Sequence, residues 1–310
     1  MEQTRNTLKE LGFLERDPYD LPTSTKRFPD GAQYRVEIPS VEGPNSFKAV
    51  LEAAKEYDVQ VHRISQGSGI MLMTDEEIQE MVRLGHENQI EVSLFVGPRG
   101  NWDINSQPFT SAGKVIGQRL QGVDQLVYAI EDIKRACDLG IRGILVSDEG
   151  LLWLVEQMKQ RGELPKDLVV KISVQMGQSN PVSIRLMEQV GANTFNVPTD
   201  LTLPRLAAIR QAIDIPIDIY VEVPDDFGGF IRHYEIAEII RVAAPVYIKF
   251  GLRNSPNIYP SGTHLDATSV ALSKERVRRA KLGLQLLKKY APDLVASENG
   301  AEGIAVPVIK

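Results

Sequence analysis

The chain has 310 residues, of which 43% are hydrophobic and 25% charged, the balance of a soluble globular protein with a sizeable core in one large domain or two ordinary ones. Its formal net charge of -6 argues against nucleic acid as the main partner, although a local basic pocket on an acidic protein still accepts an anion. The single cysteine, Cys137, excludes an internal disulfide and any zinc or iron–sulfur site built from several thiolates.

Residues 1–32 read as a short extension that caps a barrel floor, packs on a neighbouring subunit in a homo-oligomer, or frays. Met1–Glu15 is charged and lacks a signal-peptide core, and no run nears the ~20 apolar residues of a membrane span; a reducing cytoplasm is the expected compartment. From residue 33 to residue 310 one pattern repeats, a short β-rich run, a loop and a helical run. The strands expected are Tyr34–Pro39, Val59–Ser65, Ile90–Val96, Ile141–Ser147, Leu168–Gln175, Thr194–Pro198, Pro216–Val223 and Val246–Phe250. Helices are expected over Ser46–Tyr57, Asp75–Asn88, Val123–Leu139, Leu151–Arg161, Pro181–Val190, Leu203–Ile213, Tyr234–Val242 and Lys274–Tyr290. Thr74-Asp75-Glu76-Glu77 has the form of a capping box, and Pro181 follows Asn180 as an N1 proline follows its cap. Eight alternations fit a (βα)8 TIM barrel, usually about 250 residues. The doubly wound open sheet uses the same units, but it has no enclosed interior for the polar side chains these strands carry. Long loops follow strand 3 (Gly97–Gly122, with Trp102 a candidate lid residue) and strand 8 (Leu252–Ser273), over the face where barrels keep their chemistry.

Side chains alternate faces along a strand, and helix-facing positions should be aliphatic. The opposite face therefore points inward: Arg35 and Glu37 on strand 1, Glu91, Ser93 and Phe95 on strand 3, Lys171, Ser173 and Gln175 on strand 5, and Asn196 on strand 6. Strand 7 adds Asp218, Tyr220 and Glu222, and strand 8 adds Tyr247 and Lys249; in strand 2 either His62 or Arg63 faces in. An unpaired buried charge is too costly to keep, so these residues either neutralise one another or serve a site. Lysine set between carboxylates supports two chemistries: a Schiff base with a carbonyl, or a fixed cation that stabilises an enolate or oxyanion. Lys249 and Lys171 are the candidate electrophiles or amines, and Glu222 and Glu37 the candidate acids and bases. Arg253 is the expected anion anchor, with Gln175, Asn196, His62 and His264 as further substrate contacts.

Strand-end carboxylates are also hard ligands suited to Mg or Mn, and Asp148, Glu149 and Asp225 are the expected set, beside Glu37 and Glu222. Ser65-Gln66-Gly67-Ser68-Gly69 and Asp226-Phe227-Gly228-Gly229-Phe230 are glycine-containing loops whose backbone N–H groups could receive an anion, helped after strand 7 by Arg232. No nucleotide or flavin fingerprint, Walker loop or Gly-x-Ser-x-Gly elbow is present.

The run Tyr247-Ile248-Lys249-Phe250-Gly251-Leu252-Arg253-Asn254-Ser255-Pro256-Asn257-Ile258-Tyr259 resembles the U32 peptidase-like family, where a lysine-bearing strand and Gly-Arg are followed by Ser-Pro and Tyr. The chain departs from that family in lacking its acidic residue after the lysine and its cysteine cluster. The resemblance implies a parallel barrel with Lys249 and Arg253 as site residues. The expectation is an enzyme of lyase, aldolase or isomerase type acting beside a carbonyl on a small polar anionic substrate. A U32-like hydrolase and a barrel that only binds a ligand or partner are the alternatives.

Overall fold

The structure is a computed structural model and describes residues 2–15, 20–100 and 107–309. Eight parallel strands close in chain order into a barrel: β1 (Tyr34–Pro39), β2 (Arg63–Gln66), β3 (Glu91–Phe95), β4 (Gly143–Val146), β5 (Val169–Ile172), β6 (Thr194–Asn196), β7 (Ile217–Glu222) and β8 (Val246–Phe250). The helices are α1 (Glu2–Glu10), α2 (Pro44–Tyr57), α3 (Asp75–Asn88), α4 (Gly122–Asp138), α5 (Glu149–Gln160), α6 (Pro181–Gln189), α7 (Leu203–Ala212), α8 (Ile236–Ala243) and α9 (Asp266–Tyr290). The expected TIM barrel is therefore the fold.

Parallel strands need long crossovers, and these lay helices α2–α9 on the outside. The outward faces are accordingly aliphatic. Val36 and Ile38, Val92 and Leu94, Ile144 and Val146, Val170 and Ile172, Ile217 and Ile219, and Val246 and Ile248 with Phe250 all join one buried cluster with the helices. Local signals place the helix ends. Thr74 accepts from Glu77 N (3.2 Å) while Glu77 accepts from Thr74 N (2.8 Å), and Asn180 caps α6. Gly140 ends the turn after α4 at φ +109°, and a Cβ there would strike the Val308 carbonyl. Several boundaries shift from expectation, β2 for instance starting at Arg63 instead of Val59, and two of the shifts bear on the site. Strand β5 stops at Ile172 because Ser173 Oγ caps a tight turn over Val174–Met176. Helix α9 begins at Asp266 rather than Lys274, which shortens the loop after β8.

The floor of the barrel is plugged from both ends of the chain. Lys26 donates to the Ile213 carbonyl (2.6 Å) and pairs with Asp214 (2.7 Å); Phe28 meets Tyr247 edge-on (5.5 Å between centroids) beneath the Arg35 guanidinium (3.9 Å). The carboxyl-terminal tail runs below the same floor, with Ser297 N donating to Tyr34 O (3.2 Å) and Val308 N to Gly140 O (2.8 Å). Among the described residues no helix is long and apolar enough to cross a membrane.

Candidate active site

The barrel axis is filled by charge. In ladder register Glu37 stands beside Arg63 on one side and Lys249 on the other. Lys171 reaches across from β5, diametrically opposite β1, to both oxygens of Glu37 and lies 3.5 Å from Asp218. Arg63 donates to Glu91 (2.7 Å), Glu37 (3.2 Å) and Asp218 (3.1 Å) and stacks on the Tyr247 ring (3.5 Å). Ser65 Oγ also donates to Glu37 (2.6 Å). Burial alone would raise Glu37, but Lys171, Lys249 and Arg63 outweigh it and hold the carboxyl well below the usual range. For Lys171 burial wins: aided by the like charge of Lys249 and against the pull of Glu37, it pushes the ammonium down to about 8.

Lys249 is the member of this cluster that meets the outside. Its Nζ lies 3.4 Å from Glu37 and 4.2 Å from the centre of the Tyr220 ring. With its amide turned to satisfy its neighbours, Asn196 accepts from Lys249 Nζ (2.8 Å) and donates to the Asp218 carbonyl (3.1 Å). Above them a cavity of about 590 Å³ opens at the carboxyl-end face, lined by Lys249, Asn196, Tyr220, Gln175, Ser173, Gln66, Phe95, Arg99, Lys114, Phe227 and Tyr259 among others. Its size suits a small molecule.

The structure thus brings together Lys171, Lys249, Glu37, Asn196 and, at the rim, Gln175. It does not bring Glu222. The pairing of β7 with β8 shifts between Tyr220 and Glu222, so Glu222 stands opposite the outward-facing Phe250. There it accepts from Arg253 N (3.1 Å) and lies 3.4 Å from both Arg279 on α9 and His233. The expected Glu222–Lys249 couple is replaced by Glu37–Lys249. Arg253 is half-exposed and pairs with Asp225 (3.6 Å), bracing two loops instead of lining the cavity. His62 precedes β2 and faces away from the axis. Val36 N donates to its Nδ1 (3.0 Å), which leaves the proton on Nε2 for the Ser297 carbonyl (2.6 Å), and burial pushes the ring down to about 4. His264 is exposed in the turn before α9.

The expected Mg or Mn set is not assembled. Asp148 caps α5 through Leu151 N (3.0 Å), Glu149 is held by Arg119 and by Gln178 (3.0 Å), and Asp225 receives Asn254 N. Among the described residues no group of three His, Cys, Asp or Glu gathers to hold a metal ion. Both glycine loops are also committed. Gly67 N and Ser68 N donate to Glu42 (2.8 and 2.9 Å); Gly228 N and Gly229 N donate to the Asp225 and Pro224 carbonyls (both 3.2 Å), and the nearby Arg232 pairs with Glu235 (2.7 Å) and donates to the Leu201 carbonyl (3.1 Å). Trp102 lies outside the described residues. Alternation could not reveal Arg99 and Lys114, which line the cavity from the irregular loop after β3; their only signal was basic character in a long loop over the site.

Comparison with known proteins bears on the barrel more than on its chemistry. The sequence model of peptidase family U32 matches residues 69–222. The chain resembles the U32 peptidase family. The matched region spans β3 to β7, including Lys171 and Asn196, and stops short of the Tyr247–Tyr259 run that resembles the same family. The structure of the U32 peptidase Mk0906 aligns at 15% identity and a TM-score of 0.38, over 66% of this chain and 74% of that one. A protein described as a fructose-1,6-biphosphate aldolase from Coccidioides immitis aligns at 16% identity and a TM-score of 0.51, over 83% of this chain and 92% of that one. At such identities the likeness shows the fold alone. No curated protein matches the chain in sequence.

Proposed function

We propose that the chain is an enzyme that acts beside a carbonyl on a small anionic substrate, with Lys249 as the Schiff-base amine. One observation carries this reading: Lys249 lines the cavity while sharing Glu37 with a second, sealed lysine. The amine must lose its proton before it can add to a carbonyl carbon. Among the described residues the axis holds four cations, Arg35, Arg63, Lys171 and Lys249, against three carboxylates, Glu37, Glu91 and Asp218, so releasing one proton balances its charge. The two lysines, bridged by Glu37, give that proton up to water in the cavity as pH rises through about 8, to which Lys171 is pushed down; with the remaining proton held on Lys171 through Glu37, Lys249 is the neutral amine. The neutral Lys249 then adds to the carbonyl and water leaves. The resulting iminium draws electrons from a bond at the adjacent carbon, where a proton departs or a carbon–carbon bond breaks.

Borohydride added to the protein with a panel of oxo acids and aldehydes should reduce the imine to a stable secondary amine at Lys249, located by peptide mass spectrometry. Trapping should increase as pH rises through about 8 and vanish in Lys249→Met. A panel that leaves Lys249 unmodified at every pH sinks the reading. The second reading, a U32-like hydrolase, is favoured by the family match over residues 69–222. Peptide hydrolysis that survives Lys249→Met would select it.

A further inference from the structure

The charges around the cavity are unevenly placed. Among the described residues its charged lining consists of Lys249, Arg99, Lys114 and one acid, Asp226. Arg99 and Lys114 belong to the loop after β3. Asp226 follows β7 and stands with Tyr220 and Phe227, whose rings stack 6.3 Å apart. In a closed barrel of eight strands, β3 and β7 are diametrically opposite. One wall of the mouth is therefore cationic and the facing wall aromatic and acidic. Arg99 is also fixed in place. Its guanidinium lies 3.6 Å from the Phe95 ring centre and donates to the Gly67 carbonyl (2.6 Å), with only 3% of the residue exposed. A pre-set planar fork loses little freedom on engaging an anion. Burial works against the Arg99 charge and Glu42 and Tyr259 support it; the guanidinium stays charged near neutrality, so an arriving anion meets a cation.

We propose that Arg99 and Lys114 form an anion subsite on the β3 side of the mouth, and that the substrate is an oxo acid whose carboxylate or phosphate lies there while its carbonyl meets Lys249. The placement of the carbonyl rests on the Schiff-base reading; the subsite does not. An acid group set on the opposite wall would face Asp226, which fixes the direction in which the substrate enters.

Calorimetry on the Lys249→Met protein isolates the subsite from the chemistry. Titrated with glutarate and with inorganic phosphate, it should bind at least one of them, and the tighter of the two identifies the anionic group. Adding Arg99→Gln should weaken that binding about tenfold or more, as expected for losing a charged hydrogen bond. Arg99→Lys should recover part of it, because it restores the charge without the fork. Lys114→Gln, on an exposed side chain, should cost no more than about fivefold. Should Arg99→Gln fail to fold, Arg99→Lys and Lys114→Gln still carry the test. Failure of both anions to bind, or equal binding by the parent and all three variants, overturns the proposal. Arg99-dependent binding without borohydride trapping at Lys249 would remove the carbonyl reading and leave the subsite standing.

Discussion

Glu37 is the residue on which the interior balances. Its two oxygens receive Lys171, Arg63 and Ser65, with Lys249 at 3.4 Å. Neutralising it would leave three cations facing one another, with Arg63 and Lys171 fully buried. Glu37→Gln should therefore destabilise the fold by about 3–5 kcal/mol, the cost of breaking a buried pair, read from urea denaturation. Glu222→Gln, outside the axis, should leave borohydride trapping at Lys249 intact; loss of trapping in this variant would show that Glu222 acts on Lys249 after all. Alternation identified Lys171, Lys249, Glu37 and Asn196 because each lies on a regular stretch of strand. It failed at Glu222 because the register shift after Tyr220 reverses faces, and an extra residue in a strand leaves no mark on the sequence.

Loops and caps hold the site by contacts that have no period. Gly67, after β2, is their meeting point: its N–H serves Glu42, its carbonyl receives Arg99, and its α-carbon lies against the Tyr259 ring, so that a Cβ there would run into the ring. Tyr259 in turn donates to Ser40 Oγ at the cavity rim. Gly67→Ala should displace Tyr259 at a cost of about 1–3 kcal/mol, visible as a lowered melting temperature; an unchanged melt would mean that the ring moves aside freely. The glycine pattern suggested an anion-binding loop, but Glu42, a residue of the neighbouring β1 loop, already occupies its amides. Only the folded contact could reveal that.

The floor has its own pH signature. His62 ties β1 to the tail and, with burial pushing it to about 4 from an ordinary 6.5, stays neutral in the folded chain where the unfolded chain takes up a proton. Stability from this group is present above about 6.5 and is lost as pH falls toward about 4, at most roughly 3 kcal/mol. His62→Gln should be less stable near neutrality yet show a shallower decline in acid, and equal slopes for the two proteins would contradict this.

At the scale of the molecule, the barrel was legible because eight repeats each carried an aliphatic face, and no other closed arrangement gives so many inward polar positions a home. The net charge of -6 gave no hint that the axis carries more cations than anions; overall charge is set by the exposed surface, where acids and bases mix freely. The two chain ends were the least readable, since Phe28 and Ser297 find their partners only after the strands have closed. Their meeting has a consequence for traffic. With Phe28, Arg35 and Tyr247 packed across the floor, the barrel formed by the described residues is a vessel with a single neck. Among the described residues, whatever enters past Arg99 and Tyr259 must return the same way, so under the proposed reaction a product still lodged there would stand in the path of the next substrate and compete with it for the same space.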